Sequence, residues 1–232
     1  MATPPTLILF ARTPALGKIK TRLSPPLSSE GVLSLYVAFL EDAARVYGSS
    51  PRWTPVLAAE PEPDDPVLAR IFAPPWRRQG QAPGDLGAKL ARAFETELAR
   101  GAPAVLAVGS DHPALPIALV GEAFDAIAAG KDAAVVPAED GGYCAIALNR
   151  RAAPELVFRD VPWSTSEALA VTRARLESAG LAVATLATAY DVDRPEDLER
   201  LRRDIAHRNP SGPDFPSATA RALGTIDRGV SR

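Results

Sequence analysis

The stretch FARTPALGKIKTRL, residues 10–23, decides the fold class because it joins an apolar strand to a glycine and four cationic side chains. The run TLILF, residues 6–10, is short and almost continuously apolar, as in a central strand buried on both faces. The proline, the glycine and the charges that follow exclude a helix and predict a loop. In open α/β sheets ligands bind beyond the carboxyl ends of the strands, so we expect an anionic ligand at this loop.

Length and composition indicate a soluble globular protein. The chain has 232 residues, of which 47% are apolar, and no apolar run of membrane-spanning length. Its net charge of -2 gives no support for general attraction to nucleic acid or to membranes. The N-terminus lacks the pattern of a signal peptide, so we expect a cytoplasmic protein. A single cysteine, Cys144, excludes an internal disulfide, and the two separated histidines argue against a zinc site.

Strand-like and helix-like segments alternate, which predicts an α/β fold, a three-layer α/β/α sandwich with a mixed, mostly parallel sheet. Further strands are expected at 54–59, 104–109, 132–137, 143–148 and 181–186, and helices at 32–47, 86–98, 164–180 and from 195 onward. The turn Glu139–Gly142 is too short for a crossover helix, so its two strands must run antiparallel. We expect one domain over 1–207 and a C-terminal tail or wrapping segment over 208–232.

The basic loop is a candidate phosphate site. Gly17 permits a backbone conformation in which amides turn inward toward an oxyanion. Lys20 and Arg22 would add positive charge, and the guanidinium of Arg22 can bind two oxygens at once. The loop lacks the glycine spacing of a Walker loop, and a solvated surface loop is the alternative interpretation.

Acidic residues that follow other strands could complete a site at the same edge of the sheet. Asp111 could hold Mg²⁺ or Mn²⁺ against a diphosphate, or it could cap the next helix. Asp140 could accept a proton from an incoming hydroxyl or bind the metal, or it could be a solvated turn residue. Asp191 and Asp193 would point the same way on an extended segment, and either could be a second metal ligand. Asp193 could instead cap the last helix.

Two further motifs give weaker signals. QAPGDLG, residues 81–87, leads into a helix whose first amides could hold a base edge or a phosphate, although Asp85 could simply cap that helix. In PWST, residues 162–165, the indole of Trp163 could stack on an acceptor or pack in the core. Ser164 and Glu167 have the spacing of a capping box.

The order of six motifs along the chain is more specific than any one of them: FARTPALGKIKTRL, QAPGDLG, GSDHP, AEDGGY, PWST and DVDRPEDL. This set, which spans Leu7 to Leu201, resembles a bacterial glycosyltransferase family associated with arsenosugar biosynthesis. That family is similar in turn to the guanylyltransferases of molybdenum cofactor and of phospholactate metabolism. The resemblance implies the GT-A, or nucleotide-diphosphosugar transferase, fold.

The resemblance also implies roles for individual residues. The donor's phosphates would be held by Arg12, Gly17, Lys20 and Arg22, and the nucleoside would lie near Gln81, Gly84 and Asp85. The principal metal ligand would be Asp111, with Asp193 as a second one, and the acceptor would face Asp140 and Tyr143. We also expect Gly142 and Trp163 at the acceptor. The chain departs from the family at Arg12, where lysine is more usual, and at Arg194, where a capping threonine is commoner. Asp111 also stands alone, without the Asp-x-Asp of many metal-dependent glycosyltransferases.

These expectations describe a transferase that takes a nucleotide-activated donor and a small acceptor, with Mg²⁺ or Mn²⁺ as the expected cofactor and no nucleic acid or membrane as partner. The resemblance favours transfer of a sugar from a nucleotide sugar, with Lys20 and Arg22 stabilising the developing charge and Asp140 as the base. Nucleotidyl transfer from a nucleoside triphosphate to a phosphorylated acceptor is the alternative. A non-catalytic nucleotide-binding protein is a third hypothesis, against which the retained acids Asp111, Glu139 and Asp140 argue.

Overall fold

The computed structural model describes residues 3–230, and these form an α/β sandwich around a seven-stranded sheet. The strands are β1 (Thr6–Arg12), β2 (Thr54–Glu60), β3 (Arg77–Gly80), β4 (Ala104–Gly109), β5 (Ala133–Pro137), β6 (Tyr143–Asn149) and β7 (Val183–Thr185). The helices are α1 (Ser29–Gly48), α2 (Pro66–Ile71), α3 (Leu86–Ala99), α4 (Ile117–Ala128), α5 (Pro154–Phe158), α6 (Ala168–Ser178), α7 (Pro195–His207) and α8 (Ser217–Val230), and a 3-10 turn covers Thr21–Leu23.

The sheet is mixed and mostly parallel, as the sequence predicts. Its strand order is β3-β2-β1-β4-β6-β5-β7. Only β6 runs against its neighbours β4 and β5 within the described sheet, and the other pairs are parallel. Because β6 is reversed, its first residues lie at the edge where the parallel strands end. The turn Glu139–Gly142 therefore reaches the same edge as the loop that follows β1.

Helices cover both faces of the sheet, and alternate residues of β1 pack into the two layers. Leu7 and Leu9 have no exposed surface and belong to the apolar layer under α1, α4, α7 and α8. Ile8, equally buried, packs in the layer under α3, α5 and α6. This continuous burial explains the apolar run of residues 6–10, since a central strand has no solvent face. The predicted three-layer sandwich is confirmed.

The sequence pattern did not predict three short elements, α2, β3 and α5. Strand β3 has the sequence RRQG, with no apolar residue, because it is an edge strand paired only with β2 among the described strands. The short helix α5 contributes Phe158, which packs against Phe94 of α3 with ring centroids 5.2 Å apart. The capping box predicted at Ser164 is wrong: α6 begins at Ala168, and the hydroxyl of Thr165 accepts from the amide of Glu167 instead.

The segment predicted as a tail or wrapping segment contains helix α8, which packs on α1. The carboxylate of Asp42 on α1 is buried and accepts hydrogen bonds from the amides of Ala218 (3.0 Å) and Thr219 (2.8 Å). Thus a side chain of α1 caps the start of α8. Positions 231–232 lie outside the described residues, and the domain boundary at 207 stays a prediction.

Within residues 3–230, no helix combines the length and the apolar character needed to cross a membrane.

Candidate functional site

Lys20 lies at the centre of the carboxyl edge of the sheet, between two carboxylates. Its side chain is only 6% exposed, and Nζ lies 2.9 Å from Oδ1 of Asp111 and 3.5 Å from Oδ1 of Asp193. Asp111 follows β4, and Asp193 precedes α7. The fold thus brings together three of the residues that the sequence assigned to phosphate and metal binding.

Arg22 reinforces this cluster from outside. Its Nη1 donates to Oδ2 of Asp193 at 2.7 Å, although 68% of the Arg22 side chain is exposed. Partial burial of the Asp193 carboxyl opposes its ionisation, but Lys20 and Arg22 outweigh this effect and lower the pKa of Asp193. Asp193 is therefore held as a carboxylate at neutral pH.

Neither aspartate caps a helix, so both alternatives raised by the sequence are wrong. The cap of α7 is supplied by Asp197, whose Oδ2 accepts from the amides of Arg194 (2.7 Å) and Asp193 (3.0 Å). Helix α4 begins after Pro116, and no side chain caps it. The amide of Val192 donates to the carbonyl oxygen of Asp111 at 2.9 Å, which fixes the segment 191–193 beside the end of β4.

Two adjoining cavities open along this edge, and Asp111 lines both of them. The first, which we call the β1 cavity, has a volume of about 590 Å³. The predicted site residues that line it are Arg12, Lys20, Gln81, Gly84, Asp85, Asp111 and Asp193. The second, the β6 cavity, has a volume of about 320 Å³, and the predicted site residues that line it are Asp111, Asp140, Gly142, Tyr143 and Trp163. Both volumes suit small-molecule ligands.

Cations in the β1 cavity differ in whether an acid neutralises them. Lys20 is paired with Asp111 and Asp193, and Lys89 contacts the carboxylate of Glu60 at 2.6 Å. Arg12 and Lys18 also line the cavity, are exposed, and form no ion pair with any described residue. Two unneutralised cations therefore face this cavity, and one of them, Lys18, was not assigned a role from the sequence.

Tyr36 of α1 fixes the end of β1 beneath the cavity. Its hydroxyl oxygen accepts from the amide of Arg12 (2.9 Å), lies 3.0 Å from the Arg12 carbonyl oxygen, and lies 3.2 Å from Oγ of Ser110. Burial raises the pKa of Tyr36 to about 12, so the phenol stays protonated and can donate. Tyr36 was predicted only as an apolar position of the helix, because its helical spacing carries no sign of this polar contact.

The motif QAPGDLG forms the far wall of the β1 cavity. The side-chain amide of Gln81 donates to the carbonyl oxygens of Ala11 and Ala58, both at 3.0 Å, and so closes the ends of β1 and β2. Asp85 caps α3 by accepting from the amide of Ala88 at 2.8 Å. The capping alternative for Asp85 is confirmed, while its carboxylate still lines the cavity.

The β6 cavity is lined by the turn before β6 and by aromatic side chains. Oδ1 of Asp140 accepts from the amide of Gly142 at 2.9 Å, and Asp140 is exposed to solvent. Tyr143 meets Trp163 edge to face, with ring centroids 6.0 Å apart and planes at 75°. Trp163 also contacts Phe158, so its indole packs against the core with one part and lines the cavity with another.

His112 and Asp191 also line the β6 cavity, and neither was assigned to the acceptor from the sequence. Burial of the imidazole lowers the pKa of His112, while the nearby carboxylate of Asp111 opposes the change. Burial raises the pKa of Asp191, opposed by His112 and Lys20. The sequence did contain a signal for both residues. His112 directly follows Asp111 in the motif GSDHP, and Asp191 lies two residues before Asp193 in the motif DVDRPEDL.

Two predicted site residues line neither cavity in the described structure. Gly17 has the expected positive φ of 68°, but it is exposed, and a Cβ at this position would meet no atom within 4 Å. Arg22 reaches the site only through its contact with Asp193. The remaining predicted residues converge on the two cavities, as expected from the ends of neighbouring strands.

Two carboxylates at the junction of the cavities are candidate ligands for a hard divalent cation. No cluster of three or more potential ligands from His, Cys, Asp and Glu occurs in the described part of the chain. Mg²⁺ needs only one or two carboxylates when phosphate oxygens and water complete its shell. Asp111 and Asp193 supply two carboxylates, but the ammonium of Lys20 contacts both of them, so a divalent cation could bind there only if this ammonium moved aside.

Comparison with solved structures agrees with this architecture. A candidate nucleotide-diphospho-sugar transferase from Desulfovibrio desulfuricans is similar over 99% of this chain and 97% of its own, with 27% identity and a TM-score of 0.86. A cytidylyltransferase from Leptospira borgpetersenii is similar over 99% of this chain and 96% of its own, at 13% identity and a TM-score of 0.58. Rv0371c of Mycobacterium tuberculosis, solved with manganese, is similar over 87% of this chain and 98% of its own, at 17% identity and a TM-score of 0.50.

Sequence comparison assigns the family more directly. None of the curated proteins is significantly similar to the chain in sequence. Residues 43–165, more than half of the chain, match the model of a family described as "Uncharacterized protein conserved in bacteria (DUF2064)". The matched range contains Gln81, Asp111, Asp140 and Trp163. The chain therefore belongs to the bacterial DUF2064 family and has the fold of the nucleotide-diphospho-sugar transferases.

Proposed function

We propose that the protein is a glycosyltransferase that holds a nucleotide sugar in the β1 cavity and a small acceptor in the β6 cavity. The observation that carries this proposal is the pair of cavities that meet at Asp111, one of them with two unneutralised cations. A donor diphosphate needs such cations, and the sugar at its end would lie where the cavities join. The similarity to a candidate nucleotide-diphospho-sugar transferase over nearly the full length supports the same class of substrate.

The β1 cavity would bind the nucleotide chiefly through charge. Arg12 and Lys18 are free to contact the phosphates, and an arginine can bind two phosphate oxygens at once. Asp111 and Asp193 would hold Mg²⁺ or Mn²⁺, which would neutralise charge on the diphosphate as it leaves. Because Lys20 contacts both carboxylates, we expect it to link them to the phosphates of the donor.

In the reaction, a hydroxyl oxygen of the acceptor forms a bond to the anomeric carbon of the sugar. The bond from that carbon to the diphosphate breaks, and the nucleoside diphosphate leaves with the electron pair. Asp140 is the proposed base for the hydroxyl proton, since its second carboxylate oxygen makes no hydrogen bond within the described residues. Most of the rate enhancement would come from positioning and charge neutralisation.

Nucleotidyl transfer is the second candidate function. The four cations of the β1 loop, two of them without an acid partner, could also accommodate a triphosphate, and the fold is shared with a cytidylyltransferase. In that reaction an acceptor phosphate would attack the α-phosphorus, and pyrophosphate would leave. The link to arsenosugars and the relation to guanylyltransferases stay predictions from the sequence resemblance.

Calorimetric titration with nucleotide sugars and nucleoside triphosphates, with and without Mn²⁺, tests the proposal. We expect at least one nucleotide sugar to bind, more tightly with Mn²⁺, and its parent triphosphate to bind more weakly. Tight binding of the triphosphate alone would favour nucleotidyl transfer, and no binding of either class would refute both.

Variants of the unpaired cations locate the nucleotide in the β1 cavity. Lys18→Ala should weaken nucleotide binding by about tenfold, as expected for one charged contact. Lys131→Ala is the matched control, because Lys131 is likewise exposed and without an ion pair among the described residues but lies outside both cavities. Equal effects of the two substitutions would show only general attraction of anions.

A further inference from the structure

The β6 cavity has a distinctive charge pattern. Three carboxylates line it, those of Asp111, Asp140 and Asp191. No lysine or arginine lines it within the described residues. Its remaining basic side chain, His112, is held by a hydrogen bond between Nδ1 and the carbonyl oxygen of Tyr190 at 3.3 Å. Lys20, which lines the β1 cavity, contacts Asp111. Asp140 and Asp191 form no ion pair with any described side chain.

The rest of the lining is mainly apolar. Phe10, Leu86, Leu90 and Ile146 contribute aliphatic and aromatic surface, and the rings of Tyr143 and Trp163 stand edge to face beside them. Such walls bind an apolar molecular surface, whereas a phosphate or a carboxylate would lose its hydration without gaining a donor of positive charge.

We propose that the acceptor is a small hydroxyl-bearing molecule with an apolar face and no negative charge, and that the β6 cavity rejects phosphorylated acceptors. This inference rests on the proposed function, because it names the acceptor class of the same site. It separates the two candidate reactions as well: a nucleotidyl transfer onto an acceptor phosphate would need cations in this cavity, whereas attack by a neutral hydroxyl does not.

With such an acceptor, each bond that forms in the transfer is matched by a bond that breaks. The acceptor loses one hydroxyl proton and gains the glycosyl group, and the nucleoside diphosphate leaves from the β1 cavity. Positive charge on the acceptor, for example an ammonium, is compatible with the same walls, because carboxylates attract it and aromatic faces stabilise cations.

Trp163 provides a local signal for binding to the β6 cavity. Trp53 and Trp76 are buried, and their indole nitrogens donate to the carbonyl oxygens of Tyr47 (2.9 Å) and Ala44 (3.0 Å). Trp163 lines the cavity, and its Nε1 has no hydrogen-bond partner among the described residues. Quenching that is lost in the Trp163→Phe variant therefore reports a ligand in this cavity.

The test uses three probes that share one ring: benzyl alcohol, benzylamine and benzyl phosphate. We expect the alcohol and the protonated amine to quench the fluorescence of Trp163 in a saturable way. Benzyl phosphate should bind at least about tenfold more weakly, because its negative charge is repelled by the carboxylates that line the cavity. Titrations in the Lys18→Ala variant should give the same order, which excludes an effect of the β1 cavity.

Removing the charge of two carboxylates that line the β6 cavity should then change the order of affinity of the three probes. In the double variant Asp140→Asn, Asp191→Asn, we expect benzyl phosphate to gain affinity and benzylamine to lose it, with benzyl alcohol nearly unchanged. Benzyl phosphate that binds as tightly as benzyl alcohol to the unmodified protein would overturn the proposal, as would the absence of saturable quenching by both the alcohol and the amine. Because no nucleotide is present, failure of nucleotide binding would refute the proposed function without altering this result.

Discussion

The β1 cavity and the β6 cavity share a wall at Asp111, yet they balance charge in opposite ways. The β1 cavity is lined by as many lysines and arginines as carboxylates, and two of its cations, Arg12 and Lys18, form no ion pair with a described residue. In the β6 cavity carboxylates outnumber cations. The two cavities therefore differ in charge, and under the proposed function this difference would sort an anionic donor from an acceptor without negative charge.

The topology of the sheet produces this division. The β1 cavity is built from loops that follow parallel strands, where the basic loop after β1 meets Asp111 after β4 and Asp193 before α7. The β6 cavity receives the turn Glu139–Gly142 because β6 alone among the described strands enters the edge in the reverse direction. The reversed strand thus adds Asp140 to an edge where Asp111 and Asp191 already lie, and the β6 cavity becomes acidic.

The largest effect is expected from Asp111→Asn, which removes the charge shared by both cavities. Transfer should fall by about a hundredfold or more, because charge stabilisation at the leaving group is lost, and its dependence on Mn²⁺ should weaken. Turnover with a bound nucleotide sugar measures the effect. Asp64→Asn is the control, since Asp64 is 85% exposed and lines neither cavity. Unchanged turnover in Asp111→Asn would contradict both the metal assignment and the division at Asp111.

Lys20→Ala should specifically impair the β1 cavity. The substitution removes a nearly buried cation from between two carboxylates, and donor affinity should fall by about 10- to 100-fold, as for a lost charged contact. Calorimetry with the donor measures the change. Arg22→Ala should have a smaller effect because Arg22 is largely exposed. If the two variants lose equal affinity, the central position of Lys20 has no special role.

Gly141→Ala should impair the β6 cavity and leave the β1 cavity intact. Gly141 has a φ of 90°, and a Cβ there would collide with the backbone of Ser166, so the turn that carries Asp140 must shift. We expect a stability loss of about 2 kcal/mol or more together with reduced transfer, while nucleotide affinity is retained.

Gly130→Ala is the matched control for that experiment. Gly130 has a similar φ of 98°, but a Cβ there would meet open space, so only about 1 kcal/mol of backbone strain is expected. Thermal unfolding measures both variants, and similar losses would show that the contact with Ser166 is unimportant.

The smallest effect on the two cavities is expected from a change at Asp132, which lines neither of them. A substitution there should alter the stability of the protein and leave nucleotide affinity unchanged. The amide of Ala182, the side chain of Asn149 and then Arg151 lower the pKa of Asp132, and burial opposes them. Because the pKa is lowered in the folded protein, this stabilisation is present above the ordinary pKa of an aspartate and is lost as the pH falls through the lowered value.

Asp132→Asn should therefore reduce the free energy of unfolding at pH 7 by about 1 kcal/mol, and the difference from the unmodified protein should shrink in acid. Chemical unfolding between pH 7 and strongly acidic pH measures it. A difference that stays constant with pH would contradict the role of the ionised carboxylate, and nucleotide affinity should be unchanged throughout.

Much of the fold could be predicted from the sequence because its central strands are buried on both faces. Continuous apolar runs such as residues 6–10 and 104–109 identify these strands directly. Strand β3 could not be found in this way, since an edge strand with alternating exposure and four polar or small residues has no apolar signal. Helix α8 was missed because prolines and glycines interrupt the segment before it, and its cap is supplied by Asp42, distant in sequence.

It was easier to predict which residues belong to the candidate site than to predict which of them form ion pairs with one another. Strand ends identified Asp111 and the basic loop, because topology alone brings them to one edge. Which cations remain free depends on side-chain contacts made across the sheet, so the sequence favoured Lys20 and Arg22 over Lys18. The sequence offered Asp193 as the cap of α7, but Asp197 makes the capping contacts, because its Oδ2 accepts from the amides of Asp193 and Arg194.

The contact between α1 and α8 has a practical consequence for shortening or extending the protein. Asp42 has a buried carboxylate whose two donors are amides at the start of α8, and the same helix α1 carries Tyr36, which holds the backbone of Arg12. A shortened chain that stops before Ser217 loses both amide donors and the helix that covers this carboxylate, and it keeps only the ion pair with Arg45 at 3.7 Å. Trimming this end therefore weakens the helix against which the basic loop is built, so affinity tags belong beyond α8 and deletions should spare it.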